Sequence, residues 1–186
     1  MKKKINKYFL LIILFQYTNS LYAQKETFEH LVMWSEKELL TWRDYKKVSK
    51  TSVGKKAVSH IGLRFVPIFD TDTLAKLEVL PYFDKRYSIT YVLNDKLLKH
   101  EQFHFNIAEL YARKIRKRFS EIDSKNAPLL TYNLIVNSLK VEYNSYQINY
   151  DRNTNHGVKF IVQKNWEKKI TLELEKLKAY KLKYSF

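Results

Sequence analysis

Residues 97–119 read LLKHEQFHFNIAELYARKIRKRF, and within them His100-Glu101-Gln102-Phe103-His104 decides how the chain is organised. Leu97, Phe103, Ile107, Leu110 and Ile115 recur at helical spacing and predict one long helix to about Phe119. On that helix His100 and His104 stand four residues apart, hence on one face about one turn apart, where both imidazoles can reach a single ion. The pattern is H-E-x-x-H. Zinc accepts neutral imidazole nitrogens, and a glutamate beside the first histidine can take a proton from water that the metal activates. A surface helix that happens to carry two histidines is the plainer reading of the same residues.

Just upstream, Asn94 or Asp95 can cap the helix by accepting its free N–H groups. At its far end Lys114, Arg116, Lys117 and Arg118 suit the negative end of the helix dipole, so this basic cluster needs no nucleic-acid partner. Glu109 is nine residues beyond His100, about half a turn round the helix, and cannot easily share an ion with both histidines. A buried or supporting polar role is expected for it. Downstream, Asp123 to Asn126 is a polar break, and Pro128 suits the first turn of a second helix with Leu130, Leu134, Leu139 and Tyr143 among its apolar positions. That helix is expected to end near the segment Tyr150-Asp151-Arg152-Asn153-Thr154-Asn155-His156-Gly157. A third helix then carries Val158, Ile161, Val162, Trp166, Ile170, Leu174 and Leu177.

Before the motif helix the period changes from helix to strand. In AVSHIGLRFVPIF (57–69), Ile61, Leu63 and Phe65 alternate with His60, Gly62 and Arg64, as in a strand with one buried face. Asp70 to Thr73 is turn-like, and LAKLEVLPYF and YSITYVL supply two more apolar runs. The expected fold is therefore α+β: a small antiparallel sheet followed by three helices, with a zincin-like H-E-x-x-H helix. Residues 24–56 form a mixed lead-in, where Trp42 and Tyr45 are expected as core anchors, Thr41 as the cap of a short helix or turn, and 46–56 as a polar loop.

Residues 1–23 look like an export signal, with Lys2, Lys3, Lys4 and Lys7 ahead of the apolar run Tyr8 to Phe15 and a plausible cut after Ala23. The run is short of the roughly 20 residues that span a bilayer. The mature chain, 24–186, is then one domain working in the periplasm or outside the cell. The 186 residues carry a net charge of +15, and removing 1–23 takes away four positive charges and no negative ones, leaving +11. That charge is scattered and predicts a solvated basic surface, with no nucleic-acid partner and no membrane insertion after signal removal. The chain has no cysteine, which excludes disulfides, thiolate zinc sites and a cysteine nucleophile.

Catalytic zinc usually takes three protein ligands and leaves one position for water. The histidines are His30, His60, His100, His104 and His156. His60 falls on the polar side of its strand and reads as a surface residue. His156 lies in the polar segment between two helices, beside Gly157, which permits close backbone approach. From spacing alone, a metal ligand and a helix-capping loop are equally good readings of that segment. Tyr150 or Asp151 could orient a ligand or bind substrate there.

LLKHEQFHFNIAELYAR resembles the signature L-L-x-H-E-Q-x-H-F-D-x-A-E-x-x-A-R of a bacterial family of predicted secreted zinc-dependent proteases, catalogued as domain of unknown function 922. YDRNTNHG resembles its second signature, Y-D-x-x-T-x-H-G, with Trp166 following, and LTWRDY resembles an N-terminal L-x-W-x-D-F element. The resemblance implies that His100, His104 and His156 hold zinc and that Glu101 is the catalytic base. Asn106 stands where aspartate is common, and Tyr45 replaces phenylalanine.

These readings predict an exported zinc hydrolase acting on peptide or protein. Tyr150 is a candidate to stabilise the oxyanion because a phenol can donate to one, and Asp151 and Glu109 are candidates to fix a histidine tautomer from behind. The rival is a non-catalytic envelope-binding module with structural zinc, for which a closed fourth ligand would speak.

Overall fold

The computed structural model describes residues 29–48, 56–70, 73–123 and 127–182. The export signal read at 1–23, most of the 46–56 loop, the centre of the turn at 71–72 and the polar break at 124–126 lie outside them. The chain is α+β. Its main sheet is antiparallel in the order β1-β5-β4, with β1 at Leu31–Met33, β4 at Ile61–Asp70 and β5 at Thr73–Asp84. The ladder of β4 and β5 pairs Ile61 with Phe83 and Phe65 with Val79. A second, smaller sheet has the order β2-β6-β3, from Lys46–Lys47, Ile89–Thr90 and Ala57–Val58.

Two details differ from the strand pattern read in the sequence. YSITYVL supplies only the two residues of β6, and the third strand of the main sheet comes from the lead-in, where Leu31 pairs with Asp84 and Met33 with Tyr82. A three-residue strand is too short for an alternation to show, and pairing decides it instead. Pro81 sits in the central strand β5 opposite Leu63. Its carbonyl accepts from Trp34 N–H on the side where β1 ends, so the N–H that proline lacks removes no bond to β4.

Helix α1 (Asp95–Ser120) crosses the sheet and packs against β5, α2 (Leu129–Thr154) and α3 (Phe160–Lys176). Asn94 caps it, its side-chain oxygen accepting from Lys96 and Leu97 N–H. α1 is buried nearly all round. Phe103, Ile107 and Leu110 meet Tyr150 and Ile170 from α2 and α3, Phe105 and Ala108 meet Leu40, Tyr45 and Phe83, and Ala112 and Ile115 meet Val79. Each large side chain so enclosed contributes about 2–3 kcal/mol by leaving water.

α2 begins after Pro128 and runs to Thr154, so Tyr150 and Asp151 belong to its last turns and not to a connecting segment. The next three residues all have positive φ: Asn155 at 49°, His156 at 51° and Gly157 at 79°. That run reverses the chain into α3. Leu130, Leu134, Val158 and Ile161, expected on the apolar faces of α2 and α3, are exposed instead, because α1 covers one side of each helix and little covers the other.

Candidate metal centre

α1 brings the motif to the junction of three helices and the small sheet. His100 is buried and His104 mostly so. Gln163, on α3, sets the tautomer of His100. Its amide nitrogen donates to the Tyr150 hydroxyl and to Glu167 Oε1, so its Oε1 faces His100 Nδ1 at 3.1 Å as an acceptor. Gln147, on α2, does the same for His104: Nε2 donates to the His104 carbonyl at 3.0 Å, and Oε1 lies 2.6 Å from His104 Nδ1. With both Nδ1 atoms carrying hydrogen, each neutral ring presents its Nε2 lone pair to the site.

Those two Nε2 atoms are 3.1 Å apart, and Asp151 Oδ1 is 3.0 Å from each. His100, His104 and Asp151 thus form a group that could hold a metal ion. Two lone pairs and a carboxylate oxygen aimed at one point repel unless a proton or cation lies among them. With a proton among them, burial still works against the charge of Asp151, but its contacts with the His100 and His104 rings outweigh it and hold the carboxyl far below the ordinary range. Burial also opposes the charged form of His104, and the bond to Asp151 with the nearby Glu101 carboxylate raises its pKa nonetheless.

The structure places the other expected residues as follows. His156 is 72 % exposed on its side chain, and its Nδ1 lies 3.2 Å from the same Asp151 oxygen. It stands at the rim, and Asp151, expected behind a ligand, stands beside His100 and His104 in the group that could hold an ion. Tyr150 is 0 % exposed; its ring stacks on His100 and its hydroxyl donates to the His100 carbonyl at 3.3 Å. Burial pushes that phenol up. A fully buried hydroxyl has no access to a substrate oxyanion, so Tyr150 supports His100 instead. Glu109 faces the opposite side of α1, where Arg113 donates to it at 2.7 Å and Arg116 at 3.2 Å. It fixes no histidine.

Glu101 is 6 % exposed and lines a cleft of about 760 Å³ together with His104, Asp151, Ser59 and Lys56. Ser59 donates to Glu101 Oε2 at 2.6 Å, and the Tyr45 hydroxyl lies 2.7 Å from Ser59 Oγ. Since the one serine hydrogen goes to the carboxylate, Tyr45 is the donor to serine. Burial pushes the Tyr45 phenol up, and the charge of Glu101 adds to it, so Tyr45 keeps its hydrogen. Asn106 accepts from Trp34 Nε1 at 2.9 Å and from Gln102, whose own oxygen accepts from Leu40 N–H. These bonds tie the lead-in, and with it Tyr45, to α1. Sequence reading missed Ser59, Gln147 and Gln163. For Gln147 the signal was position: it lies four residues before Asp151, hence on the same face of α2.

Residues 90–157 match the model of a family described as bacterial protein of unknown function, DUF922. The match agrees with the family resemblance carried by the HEQFHF and YDRNTNHG segments. It spans His100 to His156, and Tyr45, Ser59 and Gln163 lie outside it. No curated protein and no solved structure matches the chain. No helix among the described residues is long and apolar enough to cross a membrane.

Proposed function

We propose that this protein is an exported zinc-dependent hydrolase acting on peptide or protein, with His100, His104 and Asp151 as ligands and Glu101 as general base. One observation carries this reading: beside a three-residue ligand group, a fourth side chain that the group does not need, Glu101, faces the same open cleft and is held by a hydrogen bond of its own. A purely structural site has no use for that carboxylate. Zinc fits the donor set, because tetrahedral ligand atoms at roughly 2.0–2.1 Å from the ion lie about 3.3 Å from one another, close to the 3.0–3.1 Å found here. Bound there, zinc would polarise a carbonyl and acidify water.

The chain's own residues do the rest. Gln147 and Gln163 keep the two imidazoles in the tautomer that ligates. Ser59 occupies Glu101 Oε2, which leaves Oε1 to take a proton from water in the cleft and return it to the leaving amine nitrogen. Val58, Ile61, Leu97 and Val158 give the cleft apolar walls that limit solvent around that transfer. His156, at the rim, is placed to follow Asp151 or to meet substrate.

The test is Glu101→Gln, assayed with zinc content and a mixed fluorogenic peptide library, with and without chelator. We expect full zinc loading and at least a hundredfold loss of chelator-sensitive cleavage. Cleavage at the wild-type rate removes Glu101 from the chemistry, and zinc loading with no cleavage by the wild type favours a structural centre.

A further inference from the structure

Beyond His156 the cleft continues into an annex of about 410 Å³, lined by Lys56, Val92, Leu93, Asn94, Lys96, Leu97, His156, Gly157 and Val158. The two spaces share Lys56, Leu97, His156 and Val158, so one ligand can occupy both. Their chemistry differs. The cleft holds the carboxylates Glu101 and Asp151, whereas the annex wall holds two lysines and no carboxylate. Neither Lys56 nor Lys96 has an anionic partner among the described residues, although Lys99, one turn from Lys96, pairs with Glu167 at 2.7 Å. Lys96 instead lies over the Phe160 ring at 5.3 Å. The annex also sits at the N-terminus of α1, where the helix dipole is positive, although Asp95 in the first turn offsets part of it, so the two lysines carry the attraction.

The remaining wall is apolar and uncovered. Val92, Leu93 and Val158 are 37, 57 and 58 % exposed. Scattered exposed apolar residues mean little, but a contiguous group rimmed by like charges marks a binding surface. Its complement is a group that is itself apolar and carries negative charge.

We infer that the annex binds an apolar residue with a carboxylate beside it, as part of the ligand whose neighbouring segment lies across the His100–His104–Asp151 group. This rests on the peptide-hydrolase reading for the identity of the ligand, not for the complementarity. The carboxylate could be an acidic side chain or the free end of a peptide; the recognition chemistry is the same. The apolar side chain fills the space between Leu93, Leu97 and Val158. Lys56 and Lys96 pair with the carboxylate, and the excess of positive charge over the whole chain draws such ligands in.

The test is binding, not turnover, measured by fluorescence anisotropy on the full chain with chelator present. Three dye-labelled pentapeptides serve as probes: one ending in leucine with a free carboxylate, one with an internal Leu-Glu and an amide end, and one with Leu-Gln and an amide end. At least one acidic peptide should bind about tenfold more tightly than the neutral one, and which one does so identifies the source of the carboxylate. The preference should fall on raising salt and vanish in the Lys56→Gln/Lys96→Gln double variant, with Leu93→Ser weakening all three. Equal binding of acidic and neutral peptides, or a preference that survives in the double variant, overturns the inference. So does binding of anionic phospholipid vesicles with none of the peptides, which would make this a membrane-facing surface. Because metal and cleavage play no part, failure here leaves the hydrolase reading standing, and loss of that reading leaves a measured preference intact.

Discussion

Gly157 lies against His100 so closely that the Cβ of any other residue would fall 2.9 Å from His100 Cβ and 3.0 Å from its Cγ. Both atoms belong to the root of the ring and cannot swing aside. The φ of 79° at Gly157 adds a second restriction, since L side chains avoid that region. Gly157→Ala should therefore lower stability by about 2–3 kcal/mol and move the imidazole, weakening zinc about tenfold. Thermal melts with and without zinc check both. A variant with wild-type stability and affinity would show that the turn relaxes freely.

The two glutamines predict a matched pair of effects. Gln163→Leu and Gln147→Leu each remove the acceptor that holds an Nδ1 hydrogen, so either ring can turn or change tautomer. Zinc affinity should drop about 10- to 100-fold in each. Competition with a fluorescent chelator reads this directly. Tyr150→Phe is the milder case: it loses the bond to the His100 carbonyl and one acceptor of the Gln163 amide, but Glu167 still holds that amide and the ring stays stacked, so affinity should change by less than about threefold.

How far the sequence revealed this site follows from where its parts lie. His100, Glu101 and His104 repeat at the helical period on one stretch, and that local geometry is legible without coordinates. Asp151 was singled out, but its place beside His100 and His104 depends on α2 continuing three residues past it, which the polar composition of 150–157 concealed. Gln163 and Ser59 come from α3 and the approach to β4. Nothing local distinguishes either from a surface polar residue. The basic end of α1 was read as serving the helix dipole, and for Lys117 and Arg118 that reading matches their last-turn position. Arg116 of that cluster is instead buried, as is Arg113 just before it, because Glu109, Glu78 and the carbonyls of Val79, Leu174 and Tyr180 satisfy them. A buried arginine is legible only when its partners are known.

Ser59 offers a test of positioning as distinct from folding. Its hydrogen bond to Glu101 Oε2 is the only one that this carboxylate makes among the described residues. Ser59→Ala should leave zinc content near wild type, cost about 1–3 kcal/mol because the Tyr45 hydroxyl and Glu101 lose their shared partner, and reduce turnover of the folded variant about 10- to 100-fold with little change in KM, since a misdirected base affects the chemical step. Ser59→Thr retains the hydroxyl and should recover most of the rate. Tyr45→Phe removes the donor to Ser59 but leaves the serine's bond to Glu101, and should cost only a few-fold. If alanine and threonine variants behave alike, the serine merely fills space.

Glu109 sits on the face of α1 turned away from the histidines, and its substitution separates scaffold from centre. Its two oxygens meet Arg113 at 2.7 Å and Arg116 at 3.2 Å, all three side chains being buried. Arg113 keeps Glu36 and the Leu174 carbonyl, and Arg116 keeps Glu78 and Val79, so neither cation is stripped of every partner by the loss. Removing one member of a buried ionic group still leaves charge uncompensated, and Glu109→Ala should destabilise by about 3 kcal/mol, which for a chain of this length lowers the melting temperature by about 6–12 °C. Zinc affinity of the folded variant should stay within a factor of about two, because no bond links Glu109 to His100, His104 or either glutamine. Calorimetry and zinc titration at a temperature below both melts give the two numbers. A large loss of affinity with stability unchanged would return Glu109 to the metal centre, where the sequence alone had left room for it.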